Sequence, residues 1–127
     1  MNGKILVADD EPAVQRIIAR LARDLGCEVV VASDGGEAVI VAVRERPAVI
    51  FMDLHMPELD GLEALRTILE ADPAARVIVV TGDGAPLRAA AAMESGAVGF
   101  MAKPFDLSAL RQTMADHLLL AQAGASA

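Results

Sequence analysis

Several side chains that can bind a cation or a phosphate stand at the ends of short apolar runs in this chain. They are Asp9, Asp10, Glu11, Asp53, Thr81 and Lys103. Like charges repel and each carboxylate resists leaving water, so the acidic triplet at 9–11 predicts a positive partner nearby. Carboxylate oxygens are hard ligands that suit Mg²⁺. Together with a hydroxyl and an ammonium, they suit phosphoryl transfer, which relies on positioning and charge neutralisation.

The apolar runs that position these residues read as strands. They are ILVA (5–8), VVVA (29–32), VIFM (49–52), VIVV (77–80) and VGFM (98–101). All are short, most are rich in β-branched residues, and none alternates with polar residues. That pattern predicts strands buried on both faces of a parallel sheet, with helices covering both faces.

The stretches between these runs carry the apolar spacing of amphipathic helices. The clearest covers residues 12–25, and the weakest is an alanine-rich segment at 86–95. The apolar stripes expected to face the sheet are Val14, Ile17, Ile18, Leu21 and Leu25 in the first helix, Leu62, Leu65 and Leu69 in the third, and Leu107, Leu110, Met114 and Leu118 in the last.

Acidic residues predict where three of the helices begin. Asp34 with Glu37, and Asp60 with Glu63, have the spacing of capping boxes, in which side chains bond free backbone amides. Asp106 is expected to cap the last helix.

Strands that alternate with helices predict an α/β fold, an open and doubly wound parallel sheet with right-handed crossovers. In such sheets ligands bind beyond the carboxyl ends of the strands. The polar residues named at the outset all follow strands, so they are expected to converge at one edge of the sheet.

The composition indicates one folded domain. At 127 residues, 54% hydrophobic and 23% charged, the chain has enough apolar material for one core. A net charge of -7 disfavours direct binding to nucleic acid or to an anionic membrane. The single cysteine, Cys27, and the lack of a long apolar run or a signal-peptide pattern predict a cytoplasmic protein in a reducing compartment, without membrane insertion.

Four motifs occur in an order that resembles the receiver domain of bacterial two-component response regulators. They are DDE (9–11), MDLHMPELDG (52–61), VIVVTG (77–82) and GAVGFMAKPF (96–105). The resemblance covers about residues 4–120, within a single receiver domain over 1–127 whose tail, 121–127, is expected to be flexible. It implies a CheY-like, flavodoxin-like fold with five helices and a five-stranded parallel sheet in the order 2-1-3-4-5.

The same resemblance implies a phosphorylation site. Asp53 would accept a phosphoryl group from a histidine kinase or a phosphotransfer protein. Asp10, Asp53 and the backbone carbonyl of His55 would bind Mg²⁺, or another divalent cation such as Mn²⁺, and Asp9 would hold a metal-bound water. The role of Glu11 is left open.

The resemblance also implies a switch. Lys103 would pair with a phosphate oxygen, and the peptide bond between Lys103 and Pro104 would be cis. Thr81 would move to donate a hydrogen bond to the phosphoryl group, and Phe100 would turn inward with it. The output surface would be the face of the fourth helix, fifth strand and fifth helix, where a downstream protein binds. Whether the chain forms a homodimer is left open.

Two side chains would overhang the phosphoryl group and tune its lifetime: His55, two residues after Asp53, and Asp83, two residues after Thr81. The resulting expectation is a stand-alone response regulator, not an enzyme beyond its own phosphorylation and dephosphorylation.

Other functions fit parts of the pattern. One is a degenerate receiver that only binds proteins. Another is an aspartyl-phosphate phosphohydrolase with Asp9 as its nucleophile, although Glu11 stands where an aspartate is usual. A flavodoxin-like cofactor carrier is disfavoured, because acids follow the first strand and the chain has no Trp or Tyr.

Overall fold

A computed structural model describes residues 3–56, 60–82 and 86–126, with side chains over the same ranges except at 86 and 123–126. Asp83, one of the two side chains expected to tune the phosphoryl group, lies outside the described residues. The elements are β1 (Lys4–Ala8), α1 (Pro12–Asp24), β2 (Glu28–Ala32), α2 (Gly35–Glu45), β3 (Val49–Asp53), α3 (Gly61–Ala71), β4 (Val77–Thr81), α4 (Pro86–Glu94), β5 (Gly99–Ala102) and α5 (Leu107–Ser126).

The sheet is the one the sequence predicts. Its five strands are all parallel and lie in the order β2-β1-β3-β4-β5. Every strand begins and ends within one residue of its predicted bounds. Because all five strands run in the same direction, their carboxyl ends lie along one edge of the sheet.

Helices cover the sheet on both faces. α1 and α5 pack on one face, where their core includes Val14, Ile18, Leu110 and Met114. α2, α3 and α4 pack on the other face. None of the helices in the described part of the chain is long and apolar enough to cross a membrane.

The expectation of two-sided burial holds for β1, β3 and β4 and is wrong for the outer strands. β2 and β5 form the two edges of the sheet; in β2 only Ala32 is buried, and β5 alternates between partly buried and exposed positions. Phe100 on β5 is 56% exposed, and Val31 on β2 is 40% exposed. The helices reach across the central strands and leave part of each outer strand uncovered.

The predicted caps are confirmed. Asp34 accepts a hydrogen bond from the Glu37 amide at 2.8 Å, and Asp60 accepts one from the Glu63 amide at 3.2 Å. Asp106 accepts bonds from two amides in the first turn of α5. Each carboxylate thus satisfies backbone donors that the helix itself leaves free, which fixes where the helix begins.

Two members of the predicted apolar stripes are not core residues. Ile17 on α1 is 39% exposed and Leu107 on α5 is 56% exposed. Both lie beside Pro104 in a surface groove near the carboxyl edge of the sheet. α5 continues to Ser126 and so takes in most of the segment predicted to be a flexible tail.

The start of α3 presses directly on the end of β3. A Cβ atom added to Gly61 would lie 2.2 Å from the Asp53 carbonyl oxygen and 2.6 Å from the Leu54 Cα. The Gly61 amide also donates to the Leu54 carbonyl at 3.2 Å. Only a residue without a side chain allows the backbone of α3 to come this close to the end of β3. The hydrogen bond from Gly61 then holds α3 against the strand end.

We expect Gly61→Ala to lower the free energy of unfolding by about 3 kcal/mol or more, because the added methyl meets backbone that cannot move aside easily. Urea unfolding checks this. The control is Gly36→Ala in α2, where the nearest atom to an added Cβ is an Asp34 side-chain oxygen at 3.4 Å. That change is expected to be neutral or stabilising. Equal stability of the two variants would contradict the tight packing at Gly61.

Candidate functional site

Four carboxylates gather at the carboxyl ends of β1 and β3. Each of Asp9, Asp10, Glu11 and Asp53 offers an oxygen within 4.8 Å of the others. The register places Ala8 opposite Met52, so the residues that follow them lie side by side. Asp9 and Asp53 are only 1% and 3% exposed, whereas Asp10 and Glu11 are exposed. The sheet therefore produces the predicted convergence of acidic groups.

Lys103 supplies the positive partner that the acidic triplet predicts. Its ammonium lies 2.7 Å from Glu11 Oε1, 3.0 Å from Asp9 Oδ2 and 3.2 Å from Asp53 Oδ2. Burial alone would lower the pKa of Lys103, but the hydrogen bond to Glu11, the close contact with the Asp9 carboxylate and the charge of Asp53 outweigh it and raise the pKa above its usual value. Lys103 therefore stays protonated throughout the neutral range.

The backbone around Lys103 places it beside β4. The peptide bond between Lys103 and Pro104 is cis, as the resemblance implied. The Lys103 amide donates to the Thr81 carbonyl at 2.8 Å. This bond continues the pairing of β4 with β5, so the lysine leaves the sheet beside the end of β4, and its side chain reaches past that strand to the acids that follow β1 and β3.

Asp9 is a buried carboxylate with an unsatisfied oxygen. Its Oδ1 accepts a hydrogen bond from the Glu11 amide at 2.8 Å. Its Oδ2 forms an ion pair with the Lys103 ammonium but has no hydrogen-bond partner among the described residues. Burial raises the pKa of Asp9 to about 6. A buried oxygen of this kind, in a group of four carboxylates, fits a site for a hard divalent cation.

Asp53 faces an open cleft of about 330 Å³. Its Oδ1 accepts a hydrogen bond from the His55 amide at 2.9 Å, and its Oδ2 points to Lys103. The residues that line the cleft are Asp10, Glu11, Asp53, His55, Gly82 and Lys103. Asp9 is not among them. The His55 side chain is exposed, so an anion entering this cleft would reach Asp53 from the solvent side.

Thr81 and Phe100, the predicted switch pair, lie on the same face of the sheet but at different depths. Thr81 is buried at the end of β4, and no hydrogen bond in the described part of the chain uses its hydroxyl. Phe100 pairs with Val79 and Ala102 pairs with Thr81, so the two side chains project to the same side. Phe100 does not reach the acidic cluster; it stands in solvent at the edge strand.

Two residues of the site have roles that sequence reasoning missed. Glu11, whose role was left open, has the shortest contact with Lys103. Arg88 on α4 donates to the Leu54 carbonyl at 2.9 Å, next to Asp53. Contacts across 92 and 34 residues of sequence depend on side-chain reach, and no local pattern in the sequence signals them.

Comparison with known proteins gives a consistent family. A family model described as "Response regulator receiver domain" matches residues 5–115. Sporulation initiation phosphotransferase F of Bacillus subtilis (strain 168) is 31% identical, over 94% of this chain and 97% of its own length. Chemotaxis protein CheY of Listeria monocytogenes is 37% identical, over 80% of this chain and 87% of its own.

A comparison with solved structures identifies the same family. The receiver domain of NtrX from Brucella abortus superposes with a TM-score of 0.84 at 31% identity, over 90% of this chain and 97% of that one. Other relatives are much longer. The transcriptional regulatory protein GlrR of Escherichia coli (strain K12) is 33% identical over 90% of this chain. The match covers only 26% of the length of GlrR.

Replacing Asp9 by Asn is expected to stabilise the protein when divalent cations are removed with EDTA. The folded pKa of Asp9, about 6, exceeds the ordinary value of 3.8, so the folded state holds the extra proton between these values and stability falls as the pH rises through that window. At neutral pH the Asp9→Asn variant should exceed the parent by about 1–3 kcal/mol, and below about pH 4 the difference should vanish.

Urea unfolding across this pH range checks the expectation, with Asp24→Asn as a control because Asp24 is an exposed carboxylate at the end of α1. An Asp9→Asn variant that is less stable than the parent at neutral pH would show that its ion pair with Lys103 outweighs the cost of burial.

Proposed function

Because this chain belongs to the family of response regulator receiver domains, which serve two-component signalling, we propose that Asp53 accepts a phosphoryl group from a histidine kinase or a phosphotransfer protein. The observation that carries the proposal is the setting of Asp53, a buried carboxylate that lines an open cleft with an ammonium 3.2 Å from its Oδ2. Asp9, the nucleophile of the phosphohydrolase alternative, does not line that cleft.

The transfer uses groups already in place. A carboxylate oxygen of Asp53 forms a bond to phosphorus while the bond from phosphorus to the donor's leaving group breaks, which produces an aspartyl phosphate. The His55 amide holds the carboxylate in one orientation through Oδ1. Lys103 offsets negative charge on the incoming phosphoryl oxygens, and it can do so by exchanging its contact with the exposed Glu11.

The acidic cluster fits Mg²⁺ or another divalent cation such as Mn²⁺. Asp10, Asp53 and the His55 carbonyl would bind it directly, and Asp9 would do so through a water. The support is the group of four carboxylates and the unsatisfied Asp9 oxygen. When bound, such an ion neutralises charge on the carboxylates and on the phosphoryl group.

Phosphorylation would act on protein partners through Thr81 and Phe100. Thr81 would donate to the phosphoryl group, and Phe100 would turn inward on the same face of the sheet. The face formed by α4, β5 and α5 carries exposed apolar side chains, among them Leu87, Met93 and Phe100, and it suits a downstream protein. The chemistry of the chain itself would be limited to its own phosphorylation and dephosphorylation.

Intact-mass spectrometry after incubation with acetyl phosphate and Mg²⁺ tests the acceptor. The parent is expected to gain one phosphoryl adduct that requires the cation. Asp53→Asn should lose it, because the amide is not a nucleophile of this kind. Asp9→Asn serves as the control and should still form the adduct, at a reduced rate.

The other patterns identify the competing functions. An adduct that survives Asp53→Asn and disappears in Asp9→Asn would favour the phosphohydrolase. No adduct from acetyl phosphate or from candidate kinases would favour a receiver that only binds proteins.

The switch can be followed with Phe100→Trp, because the chain has no tryptophan of its own. We expect its emission to be quenched readily by iodide before phosphorylation, since Phe100 is exposed. After treatment with acetyl phosphate and Mg²⁺, quenching should fall about twofold as the ring turns inward. The same variant carrying Asp53→Asn should show no change. Unaltered quenching in a protein with a proven adduct would exclude a role for Phe100 in the switch.

A further inference from the structure

Arg88 joins three elements that meet beside the phosphorylation site. It lies in the first turn of α4, and its Nη2 donates to the Leu54 carbonyl at 2.9 Å. The same nitrogen lies 3.6 Å from Asp60 Oδ1, the oxygen that caps α3. One guanidinium therefore contacts both the segment that follows β3 and the beginning of α3.

The Leu54 carbonyl is part of the acceptor segment itself. Leu54 stands between Asp53 and His55, and the His55 amide holds Asp53 Oδ1. Besides the bond from Arg88, the Leu54 carbonyl accepts a hydrogen bond from the Gly61 amide at 3.2 Å. Any change in the orientation of this carbonyl rotates the peptide that links Leu54 to His55, and with it the amide that orients the Asp53 carboxylate.

The position of Arg88 runs against local preference. A cation in the first turn of a helix faces the positive end of the helix dipole, which is unfavourable. The Arg88 Nε is also buried without a hydrogen-bond partner among the described residues, and such a group costs free energy. The contacts with Leu54 and Asp60 have to outweigh both costs, so the arginine is held by tertiary structure and not by its helix.

We infer that Arg88 is a positioning residue, through which α4 sets the geometry of the Asp53 acceptor segment. The inference rests on the proposed function for its kinetic consequence, but the contact itself concerns the unmodified protein. Since α4 belongs to the proposed output face, a partner that displaces α4 would alter the reactivity of Asp53. By linkage, phosphorylation would alter the position of α4 through the same hydrogen bond.

The test compares Arg88→Met, Arg88→Lys and Arg111→Met. Arg111 is an exposed arginine on α5 that has no hydrogen bond or ion pair with any residue the structure describes, so it controls for loss of charge. The rate of Asp53 phosphorylation by acetyl phosphate, at saturating Mg²⁺ and well below each melting temperature, is expected to fall about fivefold in Arg88→Met, since small misplacements of a reacting group have large effects. Arg88→Lys, which keeps one donor, should lose about twofold, and Arg111→Met should match the parent.

A purely structural role would lower the melting temperature of Arg88→Met without changing the rate, and that result would overturn the inference. So would an Arg88→Lys rate no better than that of Arg88→Met. Should Arg88→Met fail to fold, Arg88→Lys is compared with Arg111→Lys, and equal rates would overturn it.

Amide hydrogen exchange without any phosphodonor separates failure of this inference from failure of the proposed function. The His55 and Gly61 amides should exchange several-fold faster in Arg88→Met than in the parent, because the shared carbonyl is no longer held. If the parent forms no aspartyl phosphate, the proposed function fails and this comparison alone decides the role of Arg88. Unchanged exchange at both amides would then refute it.

Discussion

The ammonium of Lys103, placed among the carboxylates of Asp9, Glu11 and Asp53, is the interaction on which the site depends. Two of these carboxylates are buried, and a buried charge without a partner costs several kcal/mol. The sheet can bring the ends of β1 and β3 together only if something offsets that repulsion. A parallel sheet provides it, because β5 delivers its lysine to the same edge as the strands that deliver the acids.

The offset is incomplete, and that imbalance underlies the proposed chemistry of the site. One ammonium lies among four carboxylates, so the acidic groups of the cluster outnumber the basic one. The excess of acidic groups leaves Asp9 Oδ2 without a hydrogen-bond partner among the described residues. Burial raises the pKa of Asp9 to about 6, which still leaves it ionised under neutral conditions. A divalent cation would bring the cluster close to neutrality, and an incoming phosphoryl group would then meet less repulsion.

A feature of this fold or site could be predicted from the sequence when the residues that determine it are close together along the chain. Strands, helices and caps depend on residues a few positions apart, so runs such as VIVV and pairs such as Asp34 with Glu37 located them closely. The convergence of Asp9, Asp53 and Lys103 followed from the topology of alternating strands and helices. The exposure of Ile17, Leu107 and Phe100 could not be predicted in this way, because it depends on how far each helix extends over the sheet. The contacts of Glu11 and Arg88 depend on side-chain reach across the fold, which periodicity does not encode.

The division between buried centre and exposed edge also accounts for how the proposed reaction at Asp53 would be detected by another protein. The central strands hold the reacting groups rigidly, because both of their faces are packed. β5 is an edge strand, and its side chains alternate between partial burial and solvent. Thr81 and Phe100 lie on one face of neighbouring strands, two residues apart in register, so in the proposed switch a shift of the buried hydroxyl would need to travel only a short distance to change the surface. Arg88 would connect the same reaction to α4 by a second route, through its hydrogen bond to the Leu54 carbonyl beside Asp53. A change at the acceptor therefore has two contacts through which to reach one exposed face.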